Sequence, residues 1–107
     1  NIDHGEVARL CPELSVFTVD DVKVLLTHVG GYPGRYAPGI ERMLSDEKIN
    51  LMVCGHSHIL KVIPDKKLNL LHVNPGAAGY HGWQKFRTLV RLSIDKGSIT
   101  DLEVIHL

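Results

Sequence analysis

Three histidines stand directly after segments whose composition predicts buried strands. His28 follows the apolar run 22–27, and His56 and His58 follow the run 49–54. Histidine is the commonest metal ligand in proteins, and ligands of open α/β sheets collect where strands end at their carboxyl side. If the backbone stays extended, His56 and His58 leave the same face with Cα atoms about 6.5 Å apart. This spacing suits two ions about 3.5–4 Å apart, so the pattern predicts a metal site on which the three imidazoles converge.

Other interpretations of these histidines stay open. A bare His-x-His also occurs as two surface histidines at a strand end, and His28 is also explained as a core histidine that a backbone carbonyl satisfies. A structural site for a single zinc ion is disfavoured, because the compact set of four ligands that it needs is missing. Gly55 is expected to let the chain turn sharply before His56. The remaining histidines are expected to be structural or solvated: His4, His72, His81 and His106.

Hydrophobic periodicity predicts an α/β chain of strands, one helix and one long loop. Apolar and β-branched stretches predict strands over residues 14–19, 22–27, 49–54, 59–64, 68–73, 88–94 and 99–107. Polar turns join three pairs of these strands into hairpins, and the segment 38–48 has the apolar spacing of a short amphipathic helix. A strand, loop, helix and strand in succession predict parallel pairing, with the Gly/Pro-rich residues 29–39 as a functional loop.

Length and composition limit the number of domains and the classes of partner that are expected. The 107 residues, 44% of them hydrophobic, suffice for one small domain or for part of a larger one. Twelve basic and twelve acidic residues give a net charge of zero without a Lys/Arg block, so bulk binding of nucleic acid or of an anionic membrane is not expected. No apolar run approaches the roughly 20 residues of a membrane span. Cys11 and Cys54 are expected to be small buried residues and not a disulfide, which favours a cytoplasmic protein.

Four short motifs follow one another along the chain: Asn1-x-Asp3, Thr27-His28, Gly55-His56-Ser57-His58 and Asn74-Pro75-Gly76. Their order resembles that of the calcineurin-like metallophosphoesterases, and within them the small phosphodiesterases of the YfcE type. The resemblance spans nearly the whole chain and implies an α/β fold, a four-layer α/β/β/α sandwich of two mixed β-sheets, present here as a partial domain. Residues 1–107 would form the C-terminal portion of a single metallophosphoesterase domain. The absence of an initiator methionine agrees with this expectation of an incomplete chain.

The resemblance also implies a ligand set for a dinuclear centre. Asn1, His28 and His56 would bind one divalent ion, and His58 would bind the other. The two aspartates and the histidine that complete such a site would lie upstream, so the chain by itself is expected to be inactive. Mixed His, Asn and Asp ligands accept Mn, Ni, Zn, Fe or Mg.

The implied function is hydrolysis of a small phosphoester, most simply a phosphodiester, by a hydroxide bound to both metal ions. Many relatives carry a histidine after the metal-binding Asn that protonates the leaving group. Ile2 stands there in this chain, which leaves the general acid unassigned among Asp3, His4 and a metal-bound water.

Residues beside the glycine-rich segments are candidates for contacts with the substrate. Arg35 is the preferred one, because its guanidinium could fork onto phosphate oxygens. Packing is the alternative explanation for it and for its aromatic neighbours, which are Tyr32, Tyr80 and Trp83.

The rival function is a catalytically silent protein-binding scaffold on the same fold, as in the retromer subunit that resembles these enzymes. Retention of three metal-binding histidines favours the enzyme. The sequence leaves homo-oligomerisation open.

Overall fold

The computed structural model describes residues 14–80, 82 and 86–107. Within them the chain forms one helix, α1 (Ile40–Asp46), and nine strands: β1 (Leu14–Val19), β2 (Val22–Thr27), β3 (Gly31–Tyr32), β4 (Arg35–Tyr36), β5 (Leu51–Val53), β6 (Lys61–Asp65), β7 (Leu70–Asn74), β8 (Thr88–Asp95) and β9 (Ser98–His106). In this part of the chain, no helix is long and apolar enough to cross a membrane. Some residues with predicted roles lie outside the described ranges: Asn1, Asp3, His4, Cys11, His81 and Trp83.

The centre of the fold is a mixed sheet with the strand order β1-β2-β5-β7-β6. Its middle strands β2, β5 and β7 are parallel, and the edge strands β1 and β6 pair antiparallel with their neighbours. The parallel pairing expected from the strand, loop, helix and strand pattern is therefore confirmed. Asp20 and Asp21 have φ of 42° and 67°, the conformation of a type I′ turn, whose twist matches that of the hairpin it joins.

The two faces of this sheet bury different apolar sets. On one face, Leu25 and Met52 pack with Ile40 and Leu44 of α1. On the other, Val22, Val24, Leu51 and Val73 pack against the β8–β9 hairpin, which forms a second sheet. The alternation of side chains along each strand produces this division, since successive residues point to opposite faces. The described residues therefore form three layers, a helix on a mixed sheet on a hairpin.

The β8–β9 hairpin is also fixed at its turn. The amide of Lys96 donates to Oδ2 of Asp20 at 2.7 Å, and the amide of Gly97 donates to the Asp20 carbonyl at 2.7 Å. Two turns from distant parts of the chain are thus joined, which aligns the second sheet with the first.

Several element boundaries differ from those predicted. The helix is shorter than residues 38–48, because Gly39 before it has φ of 82° and Lys48 after it has φ of 52°, both left-handed. Strand β5 has only three residues. The β6–β7 hairpin turns at residues 66–69 and not at 65–67, because Oδ1 of Asp65 accepts the amide of Leu68 at 3.1 Å and so closes a local turn.

Residues 29–39 were predicted to form a loop, but part of this segment is regular. Strands β3 and β4 pair in a small hairpin around Pro33 and Gly34. Gly34 has φ of 88°, and Pro followed by Gly is the sequence of a type II turn, in which the third residue needs a positive φ. The Pro-Gly pair was the signal that could have predicted this hairpin.

Candidate metal centre

The ends of β2 and β5 meet at one edge of the central sheet. The strands are parallel neighbours in which Leu26 pairs with Val53. Beyond them, the amide of Gly55 donates to the carbonyl of His28 at 3.0 Å, which continues the ladder past the last paired residues. This register places His28 beside the start of the loop that carries His56.

His56 lies at the centre of a three-residue turn. The amide of Ser57 donates to the carbonyl of Gly55 at 2.9 Å, and φ is 70° at His56 and 62° at His58. A hydrogen bond between residues i and i+2 around a residue of positive φ is a γ-turn, a strained conformation of the kind found at functional sites. The backbone is therefore not extended from His56 to His58, and the condition for their predicted spacing is not met. The left-handed conformation falls on His56 and not on Gly55.

Asn74, the last residue of β7, holds this turn in place. Its side chain is buried, and its Nδ2 donates to the carbonyl of Gly55 and to Oγ of Ser57, both at 3.1 Å. Its Oδ1 accepts the amide of Gly76 at 3.0 Å. Every polar atom of this buried amide is thus paired. The Asn-Pro-Gly segment therefore lies beside the candidate site.

The two imidazoles brought together here are those of His28 and His56. Nε2 of His28 and Nδ1 of His56 are 3.3 Å apart, and the rings meet edge to face with centroids 5.1 Å apart and an interplanar angle of 81°. Two nitrogen ligands of one tetrahedral ion, each bonded at about 2.0–2.1 Å, lie about 3.3 Å apart. The pair therefore fits a shared metal ion. A direct hydrogen bond, with one ring donating and the other accepting, is the alternative explanation of this distance.

The environment of His28 favours the neutral form that binds metal. Its pKa is lowered from the ordinary histidine value of 6.5, first by partial desolvation of the ring and further by the positive charges that His56 and His58 can carry. A charged imidazolium has no lone pair to donate, so a lowered pKa extends the pH range in which His28 can be a ligand.

The other predicted site residues are His58, Asn1 and Arg35. His58 lies close enough to affect the pKa of His28, but the described residues contain no group of three or more His, Cys, Asp or Glu side chains arranged around one ion. Asn1 lies outside the described residues. Arg35 is exposed on β4, and its contact with substrate stays a prediction.

A pocket adjoins His56 of the histidine pair, and one of its charged residues, Lys61, was not identified from the sequence. Its walls include His56, Tyr32 from β3 and Lys61 from the start of β6. Tyr32 was a candidate because it flanks the glycine-rich segment. Lys61 had no such signal, because it is the first residue of a hairpin strand and no motif surrounds it.

Two residues for which no chemical role was predicted are buried in the core. Cys54 is a buried free thiol, as predicted. His72 is fully buried, and among the described residues neither of its ring nitrogens has a hydrogen-bond partner. It therefore has a place in the core and none in the candidate site.

The chain belongs to the calcineurin-like phosphoesterase superfamily, because the sequence profile of that domain matches residues 1–97. A comparison with curated protein sequences finds no significant match.

Solved structures share the fold, and the predicted mixed α/β sandwich, present as a partial domain, is confirmed by them. A conserved protein from Streptococcus pneumoniae, described as a predicted phosphoesterase, aligns with a TM-score of 0.69 at 18% identity over 89% of this chain and 54% of its own. An archaeal phosphodiesterase gives 0.64 and 21% over 89% and 51%. Zinc-bound wild-type Vps29 from Entamoeba histolytica gives 0.62 and 18% over 88% and 60%. The chain thus spans between 51% and 60% of the length of these proteins.

Proposed function

We propose that the protein containing this chain is a metal-dependent phosphodiesterase and that residues 1–107 supply the C-terminal part of its catalytic domain. The observation that carries the proposal is the pairing of His28 Nε2 with His56 Nδ1 at 3.3 Å, at the carboxyl edge of a parallel strand pair. Membership of the phosphoesterase superfamily supports it. Manganese is the first ion to test, with Ni, Zn, Fe and Mg as alternatives.

The residues of this chain have distinct tasks in the proposed activity. His28 and His56 would hold one ion, with Asn1 as a further ligand, and His58 would be a ligand of a second ion. Bound divalent ions activate water at neutral pH and neutralise charge on phosphoryl oxygens. Arg35 is proposed as a contact for those oxygens. Asn74 binds no ion, but it fixes the turn that presents His56.

The proposal is tested with the full-length protein and bis-p-nitrophenyl phosphate. We expect hydrolysis with added manganese, loss of hydrolysis with a chelator, and its return when manganese is restored. His56→Ala should reduce kcat/KM by about a hundredfold or more. Loss of a residue that hydrogen-bonds to a metal ligand already lowers activity by up to about a hundredfold, and loss of the ligand itself should lower it at least as much. His106→Ala is the matched control, because His106 is an exposed histidine at the end of β9, and its replacement should leave the rate unchanged.

A protein-binding scaffold is the second candidate function. Its support is the apolar surface that β1 exposes among the described residues, where Phe17 and Val19 are each 42% exposed. Absence of turnover across the panel of metals, with binding of the metals shown independently, would reject the phosphodiesterase and leave the scaffold.

A further inference from the structure

The pocket beside His56 is small and mostly apolar. It has a volume of about 240 Å³, below the roughly 300–1,000 Å³ of sites that hold whole drug-sized ligands, so it has room for one ring system. Val29 and Ile59 at its walls are large apolar residues that are 48% and 41% exposed. These two apolar side chains offer a phosphate group no hydrogen-bond donor, but they suit the apolar surface of an organic group.

The walls of the pocket are held by contacts on several sides. A Cβ on Gly30 would collide with Cε of Met52, so the β2–β3 connection packs against β5 as closely as a residue without a side chain allows. The β3–β4 hairpin is tied to β6, because the Tyr36 hydroxyl donates to Oδ2 of Asp65 at 2.6 Å. Asn74 fixes the opposite side through its bonds to the turn at His56. The pocket is therefore pre-formed, which lowers the entropic cost of filling it.

One aromatic ring and one cation define the chemistry of the pocket. Nζ of Lys61 lies 3.6 Å from the centroid of the Tyr32 ring. A cation over an aromatic face is held in place, yet an ammonium has three donors, and those that do not face the ring can reach a hydrogen-bond acceptor. A flat ligand ring would pack on the apolar walls and the Tyr32 side chain, with an acceptor towards Lys61.

We infer that this pocket binds the organic group of the phosphoester, and that this group is a single planar ring system bearing a hydrogen-bond acceptor, such as a nucleobase or a substituted aryl ring. The inference rests on the proposed phosphodiesterase function, because the ion that His56 at the pocket wall and its neighbour His28 would hold is what would bind the phosphoryl group. Tyr32 and Lys61 are then specificity-determining residues. Neither would touch the metal ions.

Phosphonates test the inference without turnover, since each carries one organic group and cannot be hydrolysed as an ester. Binding of methylphosphonate, phenylphosphonate and 4-nitrophenylphosphonate to the manganese-loaded full-length protein is measured by isothermal titration calorimetry. We expect phenylphosphonate to bind about tenfold more tightly than methylphosphonate, through burial of apolar ring surface. The nitro acceptor should add about threefold or more through Lys61.

Substitutions test which residues cause these differences in affinity. Tyr32→Ala should reduce the phenyl-over-methyl preference, and Lys61→Met, which keeps the apolar stem, should remove only the gain from the nitro group. Lys66→Met is the control, because Lys66 is an exposed lysine in the turn at the other end of β6 and should change neither preference.

The outcomes separate the pocket from the proposed function. Equal affinities for the three phosphonates in the unsubstituted protein would overturn the pocket assignment while leaving metal-dependent phosphoryl binding in place. Preferences that survive both Tyr32→Ala and Lys61→Met would also overturn it. Binding of none of the three to metal-loaded protein would reject the pocket together with the function on which it rests.

Discussion

At the scale of single residues, the central question is what lies between Nε2 of His28 and Nδ1 of His56, which are 3.3 Å apart. If they share one ion, His28→Ala and His56→Ala should each weaken manganese binding by about a hundredfold or more. Replacing both should weaken it by much less than the product of the single effects, because the second change acts on an ion already lost. Calorimetric titration of the full-length protein with manganese measures all three variants.

A direct hydrogen bond between the two rings leads to a different result. Each single substitution would then change the free energy of unfolding by about 0.5–1.5 kcal/mol and leave manganese affinity unchanged. Unchanged affinity in both single variants would reject the shared ion.

At the scale of elements, the end of β7 controls the loop that follows β5. Asn74→Ala removes the donors to Gly55 and Ser57 and the acceptor for Gly76. We expect the free energy of unfolding to fall by about 1–3 kcal/mol. Manganese affinity should also fall, because the left-handed turn at His56 loses what holds it. Chemical denaturation and metal titration of the same variant measure the two effects.

A control variant separates two causes of weaker manganese binding, which are a less stable fold and a displaced turn at His56. Val73→Ala destabilises the same strand by removing core packing, but it leaves every hydrogen bond of the turn intact. Manganese affinity should stay near that of the unsubstituted protein. If Val73→Ala weakens metal binding as much as Asn74→Ala does, then Asn74 acts through stability alone.

At the scale of the whole molecule, His72 links stability to pH. It is fully buried between the layers, and its pKa is lowered from 6.5, first by desolvation and further by Lys61, against a smaller opposing effect of Asp65. Below about pH 6.5 the unfolded chain takes up a proton that folded His72 does not bind, so the stabilisation present above that pH is lost as pH falls. His72 contributes at most about 1.4 kcal/mol per pH unit to the slope of the free energy of unfolding against pH.

The variant His72→Leu isolates this effect. It keeps an apolar side chain of comparable size and removes the titrating ring, so the free energy of unfolding should depend less on pH between 5 and 7 than in the unsubstituted protein. It should also be higher at neutral pH, since two ring nitrogens without partners among the described residues are removed from the core. Urea denaturation across this range measures both. Identical pH profiles for the two proteins would show that His72 is not the titrating group.

The sequence by itself predicted most of the strands and identified His28 and His56 as candidate metal ligands. The alternation of residues 88–94 and the apolar run 22–27 predict strands because burial of one or both faces selects such patterns, and the structure contains both strands. His28 and His56 were identifiable because each follows a strand, and strands of a parallel pair end at the same edge of the sheet.

Only the tertiary structure decided how these residues meet. The left-handed backbone at His56 is not a local preference of histidine, and it is held by Asn74, 18 residues further along the chain. The pocket likewise joins Tyr32 to Lys61 through the β4–β6 contact of Tyr36 with Asp65. Contacts between distant segments depend on how the layers pack, and no pattern within one segment encodes them.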